Sequence, residues 1–471
     1  MQSTLFTTTC QIIIFVTFFA SPALYLPSGS TSFAANPSKN NNDLNPSLSG
    51  GATTRFDKTR NAFSRPAKNL PFQLKRKFSE GNKLFRTIWV DKNKSNTSHI
   101  GLGPTYSAAA CIHCHQGDGR SMPPKTNDHG SAGLVLRLAN YKEGNTIYGE
   151  QIDTLAIDGV PAEAKVRIKY KYIDGQFGDG TVFTLRKPII VIENSQFGPV
   201  PKQIHGRVAP AIIGLGLLAA IPEITILHWA DQHDSDGDDI SGRPNKVYDP
   251  TTSSTAIGRF GWKAGSSSLV HQTARALIMD IGITTSFFPI NRCPLPQLAC
   301  QKTSQTNGPE TDLSIVKLLS FYSGALAVPA RRNVNSKAVK QGSKLFVKAG
   351  CAKCHIPLTK TGVNTTRDFV FTQNQTIQPF TDLLLHDMGF GLTGKSSEGI
   401  ANEREWRTAP LWGLGLIPKV NGDLRLLHDG RARNVSEAIL WHGGESNVAR
   451  SNFINMTAEE RKLLIIFLHS L

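Results

Sequence analysis

The sequence predicts a mainly α protein of two related domains, made by internal duplication, with a β-hairpin inserted into the first. Three observations predict it. Gly81-Asn-Lys-Leu-Phe85 recurs as Gly342-Ser-Lys-Leu-Phe346, and each copy precedes a C-x-x-C-H pentapeptide, CIHCH at 111–115 and CAKCH at 351–355. Further on, Arg207-Val-Ala-Pro210 leads to GLGLL, and Arg407-Thr-Ala-Pro410 leads to GLGLI. Ordered matches of this kind mark a repeat whose copies have diverged. Between the first C-x-x-C-H and the first R-x-A-P, Val166, Ile168, Tyr170 and Tyr172 alternate with basic residues. A Gly/Asp loop at 174–180 follows, then VFTL at 182–185 and IIVI at 189–192. Period-two alternation around a turn reads as a hairpin, and the glycines and β-branched residues argue against helix.

In chain order, residues 1–35 read as an export signal. The run at 12–20 (IIIFVTFFA) has the length of a signal core and is too short to span a bilayer comfortably. Ser32, Ala34 and Ala35 supply a cleavage zone, although the first basic residue is Lys39, beyond the run. An uncleaved anchor is the alternative. Residues 36–70 are rich in Asn, Ser, Pro and Gly and read as a flexible leader. The first domain is then expected at 71–330 and the second at 331–471. In the second, 337–349 has helical patterning and runs straight into CAKCH. Thr457 and Glu460 form a capping box for a last helix with Leu463, Leu464, Phe467 and Leu468 on one face. No later stretch reads as membrane-spanning. At 471 residues, 39% hydrophobic and 19% charged, the chain has enough material for two or three cores. Its net charge of +16 fits an anionic cell surface or an acidic protein partner better than nucleic acid.

The seven cysteines sort by position. Cys10 leaves with the signal. Cys293 and Cys300 lie in a Pro-rich loop, where an oxidising compartment favours a local disulfide. The other four form the two C-x-x-C-H pentapeptides. That motif is specific because its chemistry needs all three residues: two thiols add across the vinyl groups of one porphyrin, and the adjacent His ligates the iron. A zinc site would need further closely spaced Cys or His, and a thioredoxin-type dithiol would need a βαβ setting. Neither is present. Two covalently bound haem c groups are therefore expected, held by Cys111, Cys114, Cys351 and Cys354, with His115 and His355 as proximal ligands. A helix leading into C-x-x-C-H and a helix closing the chain resemble the cytochrome c fold, so both domains are expected to be cytochrome c-like.

Longer motifs carry a closer resemblance. The second half reads HDMGFGL (386–392), EWRTAPLWGLG (405–415) and LHDGRARNVSEAILWHGGE (427–445); the first reads RVAPAIIGLGLL (207–218), DSDGDDISGRPN (234–245) and GRFGWKA (258–264). Over residues 75–471 the chain resembles the bacterial di-haem oxidoreductase family, whose members are described as peroxidases or thiol oxidoreductases. That family is related to di-haem cytochrome c peroxidases and to the di-haem enzyme that matures methylamine dehydrogenase. In the wider superfamily the distal ligand of the C-terminal haem follows the His of an HDG motif by fourteen residues. It is Met in the peroxidases and Tyr in the maturation enzyme. Here the motif starts at His428 and the corresponding residue is His442. The resemblance thus implies His355/His442 ligation, with Met388 as the rival, and a potential below that of a His/Met haem.

For the first haem, Met122 stands only seven residues past His115 and His129 fourteen past it. The expectation is a labile His129 ligand or an open site, and the chemistry is placed there. Peroxide cleavage needs a base to move a proton between the two oxygens. Glu223 is the candidate, with His228 and His233 behind it, and Trp262 is the candidate electron relay. Asp234, Asp236 and Asp238 alternate as calcium ligands do, although Asp239 stands where a strict calcium loop has Gly and Asn245 where it has Glu. The expected protein is a periplasmic di-haem oxidoreductase of peroxidase type. Electrons enter at the C-terminal haem and are used at the N-terminal one on peroxide. A thiol, sulfur-compound or metal-ion oxidase, and a di-haem carrier with no enzymatic role, are the alternatives.

Overall fold

The computed structural model describes residues 45–92, 99, 101–124, 133–139, 147–303, 308–363, 366–394, 396 and 398–471. The export signal and the start of the leader lie outside these residues, as does His129. Residues 45–471 form one compact unit.

Four helices organise it in two matched pairs. α1 (Phe72–Arg86) leads towards the first C-x-x-C-H and packs on α2 (Leu313–Ala325); α3 (Lys337–Lys348) leads into the second and packs on α4 (Ala458–Ser470). α3 starts at Ser336, whose side chain accepts from Val339 N, and buries Val339, Gly342 and Phe346, a helical i, i+3, i+7 stripe. The Thr457/Glu460 capping box opens α4. Both leading helices carry glycine where they cross their partners. A Cβ on Gly81 would stand 2.7 Å from Tyr322 Cβ, and one on Gly342 would stand 2.7 Å from Phe467 Cβ. The shared G-x-K-L-F motif is thus a packing motif, its glycine setting helix spacing and its Phe filling the core.

The R-x-A-P-x-x-G-L-G segments meet each other. Gly214 (φ +68°) and Gly413 (φ +75°) are both left-handed. A side chain on Gly214 would run into the Trp412 ring, and one on Gly413 into Ile213. Each copy therefore packs its glycine under the other copy's bulky neighbour, and these residues share one core.

The expectation of a mainly α protein of two cytochrome c-like domains does not hold. Helix makes up 33% and strand 18%, the strand spread over several small sheets. The reason lies between the helices, where 41 glycines and 26 prolines across the chain favour turns and short extended pieces over helix. Leu134–Leu138 pairs with Ile204–Val208, and Leu385–Asp387 with Glu405–Arg407, so each R-x-A-P begins at the end of a strand. The hairpin is the largest β element: β1 (Lys165–Gln176) and β2 (Val182–Glu193) pair from Lys165↔Glu193 to Gln176↔Val182. Its base buries Val166 and Ile168 in the main core, and further along Leu185 joins them. Its tip reaches the C-terminal segment, where Gly178 N donates to Ile454 O at 2.9 Å, Arg461 pairs with Asp179 at 2.7 Å and Phe177 packs on Phe453.

The leader also departs from expectation. From residue 45 onward it is packed, with Ala62 and Phe63 fully buried and Ala67 N donating to Ala325 O at 2.8 Å. Its polar composition hid a few apolar anchors. Cys293 and Cys300 are disulfide-bonded, with Cα atoms 5.5 Å apart. Among the described residues no helix is long and apolar enough to cross a membrane.

Candidate functional site

Each C-x-x-C-H winds into one tight turn. In the first, His115 N donates to Cys111 O at 3.0 Å; in the second, His355 N donates to Cys351 O at the same distance. The turn brings both thiols of a pair and the following imidazole to one side. All four thiols are unpaired and half-buried, and both sets line a single interior cavity of about 490 Å³. Burial pushes the thiols of Cys111, Cys114 and Cys351 up to about 12, and that of Cys354 up as well. A redox dithiol needs a thiolate, which this environment opposes. Among the described residues one cluster of possible metal ligands takes in a cysteine of either pair, Cys354 with Asp382 and His386. Cys351 stays outside it and both nitrogens of His386 are held by carboxylates, so neither thiol pair is completed to a tetrahedral zinc set. Free thiols in pairs, each with an imidazole beside a mostly apolar interior space, suit two thioether-linked porphyrins.

Around the second turn the imidazoles are fixed. His355 Nδ1–H donates to Phe380 O at 2.9 Å, and His442 Nδ1–H donates to Ala438 O at 2.7 Å. A carbonyl only accepts, so both rings are held in the tautomer whose Nε2 keeps a free lone pair. Burial, with a contribution from the nearby His442, pulls His355 down to about 4, and burial lowers His442 too; both are neutral bases. His442 ends a short helix (Val435–Leu440) that Asn434 caps by accepting from Glu437 N. The HDG segment before it is locked by Asp429 and Arg431, paired at 2.7 Å, and by His428 stacked on Trp406 at 3.8 Å. Beneath Trp406, 4.3 Å from the ring, lies buried Lys263, which donates to Asn402 O and Glu405 O. Met388 also borders the cavity. His386 lies 3.6 Å from Cys354 Sγ and is clamped by Asp382 at 2.8 Å and Glu445 at 2.7 Å. Burial alone would lower its pKa, but Asp382 raises it well above the usual value.

The first turn is built differently. Burial lowers His115 against a weaker opposing pull from the Gly119 and Pro210 backbone, and among the described residues its Nδ1 makes no hydrogen bond of good geometry. Asp118, three residues on, is fully buried and accepts from Ser64 Oγ, from Tyr322 Oη at 2.8 Å and from Arg86 at 3.3 Å. Trp262 borders the cavity, donates from Nε1 to Val208 O at 2.7 Å and lies under the Arg120 guanidinium at 5.1 Å. Other expected residues lie elsewhere. Glu223 is exposed in the first turn of a short helix (Glu223–Trp229) and does not border the cavity. A carboxylate there complements the helix N-terminus. His228 and His233 are exposed as well, and Met122 does not reach the cavity.

Two carboxylates shielded from solvent do border it: Asp280, whose pKa burial raises, and Glu398, which pairs with Arg207 and, at 3.0 Å, with Arg275. For Glu398 the balance is different. Burial would raise its pKa, but Arg207, Arg275 and Arg137 outweigh that and hold it well below the usual carboxylate range. Arg207 carried a signal, as part of the repeated R-x-A-P. Glu398 and Tyr322 carried none.

In the acidic loop, Asp231, Asp234 and Asp236 converge, while Asp238 turns away to pair with Lys353 at 2.8 Å. The oxygens of Asp234 accept from Asp238 N at 2.9 Å and Asp239 N at 3.2 Å, and Asp231 accepts from Ser235 N. These bonds close the loop through its own amides.

A fold that places two thiol–imidazole sets on one cavity defines a protein built around two bound cofactors. The family model described as "Di-haem oxidoreductase, putative peroxidase" matches residues 44–137 and 153–471, and the chain belongs to that family. It is an oxidoreductase of a di-haem family. No curated protein and no solved structure matched the chain.

Proposed function

We propose that this protein is an exported di-haem c-type oxidoreductase of peroxidase type, with an electron-transfer haem at the second turn and a substrate-reacting haem at the first. One observation carries the reading. The second half supplies His442, with a free Nε2, to the cavity that His355 faces, whereas His115 is the sole His, and no Met is present, among the described cavity-lining residues of the first half. The second half lines the cavity with four histidines, of which His386 is clamped by Asp382 and Glu445 and His428 is stacked on Trp406, leaving His355 and His442 to offer an iron; the first half offers His115.

Cys111, Cys114, Cys351 and Cys354 would hold the two porphyrins by thioether bonds, with His115, His355 and His442 as iron ligands. Bound haem would supply electron storage at both sites and an open position for peroxide at the first. The protein's own part is to fix ring orientation through the Phe380 and Ala438 carbonyls and to keep the imidazoles neutral by burial. Trp262, on the wall both sites share, is the proposed relay between them. Arg207 and Arg275 hold Glu398 ionised, so the charge of the wall stays constant while electrons pass. The basic surface suits an acidic electron donor.

The test is spectroscopic. The purified, fully loaded protein is expected to show one low-spin site that ignores carbon monoxide and one site that binds it. His442→Ala is expected to double the carbon monoxide bound and to raise the potential of the second site. Two low-spin sites that ignore peroxide, cyanide and carbon monoxide would overturn the enzyme in favour of a carrier. Oxidation of thiols without peroxide turnover would reverse the direction of electron flow.

A further inference from the structure

The pair Tyr322–Asp118 has no part in holding a porphyrin, yet it is the most completely enclosed polar contact behind the first turn. Both residues are fully buried. The phenol donates to Asp118 Oδ1 at 2.8 Å and lies 3.4 Å from Asn82 Oδ1. Donors from Ser64, Tyr322 and Arg86 converge on the Asp118 carboxyl, which accepts from all three. The ring centre of Tyr322 is 5.2 Å from that of Phe85, which is 6.1 Å from that of His115. Leu319 and Ser323, on the same helix, border the cavity.

The second copy of the repeat is an internal control. Gly81 faces Tyr322 where Gly342 faces Phe467. Asp118 follows His115 by three residues where Leu358 follows His355. The same helix crossing is therefore built there without a phenol or a carboxylate. Packing does not require them, and burying an ionised group costs stability unless it is fully paired.

A phenol loses an electron far more readily when its proton can move at the same moment to a base already hydrogen-bonded to it, because no charged phenol radical has to form in a low-dielectric interior. We propose that Tyr322 is a redox-active residue of the first site: after peroxide oxidises that site, the phenol gives it one electron, its O–H bond breaks, the proton passes to Asp118 Oδ1, and one oxidising equivalent is held as a neutral tyrosyl radical. Reduction of hydrogen peroxide to two waters takes two electrons and two protons. Tyr322 supplies one electron and the reduced second site the other, and the two protons come from solvent. An electron from an external one-electron donor and the returning Asp118 proton restore the phenol. This deepens the peroxidase reading and rests on it.

The test mixes the full, haem-loaded protein, grown with ring-deuterated tyrosine, with hydrogen peroxide and freezes it for electron paramagnetic resonance. A radical signal narrowed by the deuterium is expected. It should be lost in Tyr322→Phe and in Asp118→Asn and kept in Tyr148→Phe, since Tyr148 is equally buried but donates to a backbone carbonyl, Gly198 O, at 2.6 Å. Haem content and the low-spin spectrum of the second site report whether each variant has folded; Tyr322→Phe removes one hydroxyl and decides if Asp118→Asn fails. A signal that persists in Tyr322→Phe, or peroxide turnover with no tyrosyl signal, overturns the proposal and leaves the peroxidase reading standing. If peroxide leaves both sites unchanged, that reading falls. Flash-generated ruthenium(III) tris-bipyridine then supplies the oxidant; a Tyr322-dependent radical sustains the redox role, and its absence overturns it.

Discussion

The two C-x-x-C-H turns close on the same backbone bond at the same length, yet little around them agrees. Behind the second turn, His355 is tied to Phe380 O, a second imidazole is tied to Ala438 O, and the flanking helices meet through Phe467. Behind the first, His115 Nδ1 makes no hydrogen bond of good geometry among the described residues, and the equivalent helix crossing carries Tyr322 and a buried carboxylate. What the copies share is what fixes a turn and spaces two helices. What separates them is how firmly an imidazole is held and what polar groups stand behind it, and those features set reactivity. On the proposed reading, one copy has been stiffened for passing electrons and the other furnished for chemistry.

The strongest way to break this comparison is to remove one attachment site at a time. Cys351→Ser/Cys354→Ser and Cys111→Ser/Cys114→Ser should each halve the covalent haem measured as the pyridine haemochrome. Only the loss of the first site should abolish the reaction with peroxide itself; loss of the second should leave a first site that still reacts with peroxide but is no longer re-reduced by the donor. Equal loss in both variants would erase the division of labour. Glu398→Gln comes next. Glu398 lies in the second half and pairs with Arg207 and Arg275 of the first, so its loss should weaken the whole unit by about 3–5 kcal/mol in denaturant unfolding. Its pKa is held below the ordinary 4.5, so its contribution is complete above that pH and drains away as pH falls towards the folded value. The variant should lack that acid-induced loss. The smallest effect is expected from calcium. Because the loop at 231–239 is closed by its own amides and by Lys353, adding calcium after chelation should move Tm by less than about 2 °C in scanning calorimetry. A larger rise would mean that Asp231, Asp234 and Asp236 hold an ion.

Legibility in the sequence followed the length of the pattern that carried each feature. The turns, the repeated helices and the hairpin rest on local spacing: three residues fix a thiol–imidazole turn, Val339 and Phe346 fix a helix face, and Val166 to Tyr172 alternate as a strand with one buried face does. His442 is singled out through the family resemblance, whose fourteen-residue offset from His428 spans one capped helix. Glu223 was chosen for its place after GLGLL, a position that says nothing about which way the next turn faces, and the chain turns it out to solvent. Glu398 and Tyr322 gain meaning only from partners about 190 and 200 residues away in sequence (Arg207 and Asp118), and no local pattern encodes such a pairing. The mainly α reading failed for a related reason. Helices announce themselves by period, whereas the short sheets between them are held by partners distant in the chain.

The hairpin adds a second tie between halves that the R-x-A-P segments already join. Rooted beside Val166 and Ile168, it sends Arg186 to the carbonyl of Arg431, receives Arg433 at Thr184 O, and ends with Arg461 seated over Phe177 at 4.0 Å and bonded to Asp179. It works as a girth strap. The last helix cannot fray, and the segment bearing His442 cannot swing, unless the ribbon lets go first, so heating should melt residues 45–471 in one transition and a protease should find no early cut between the halves.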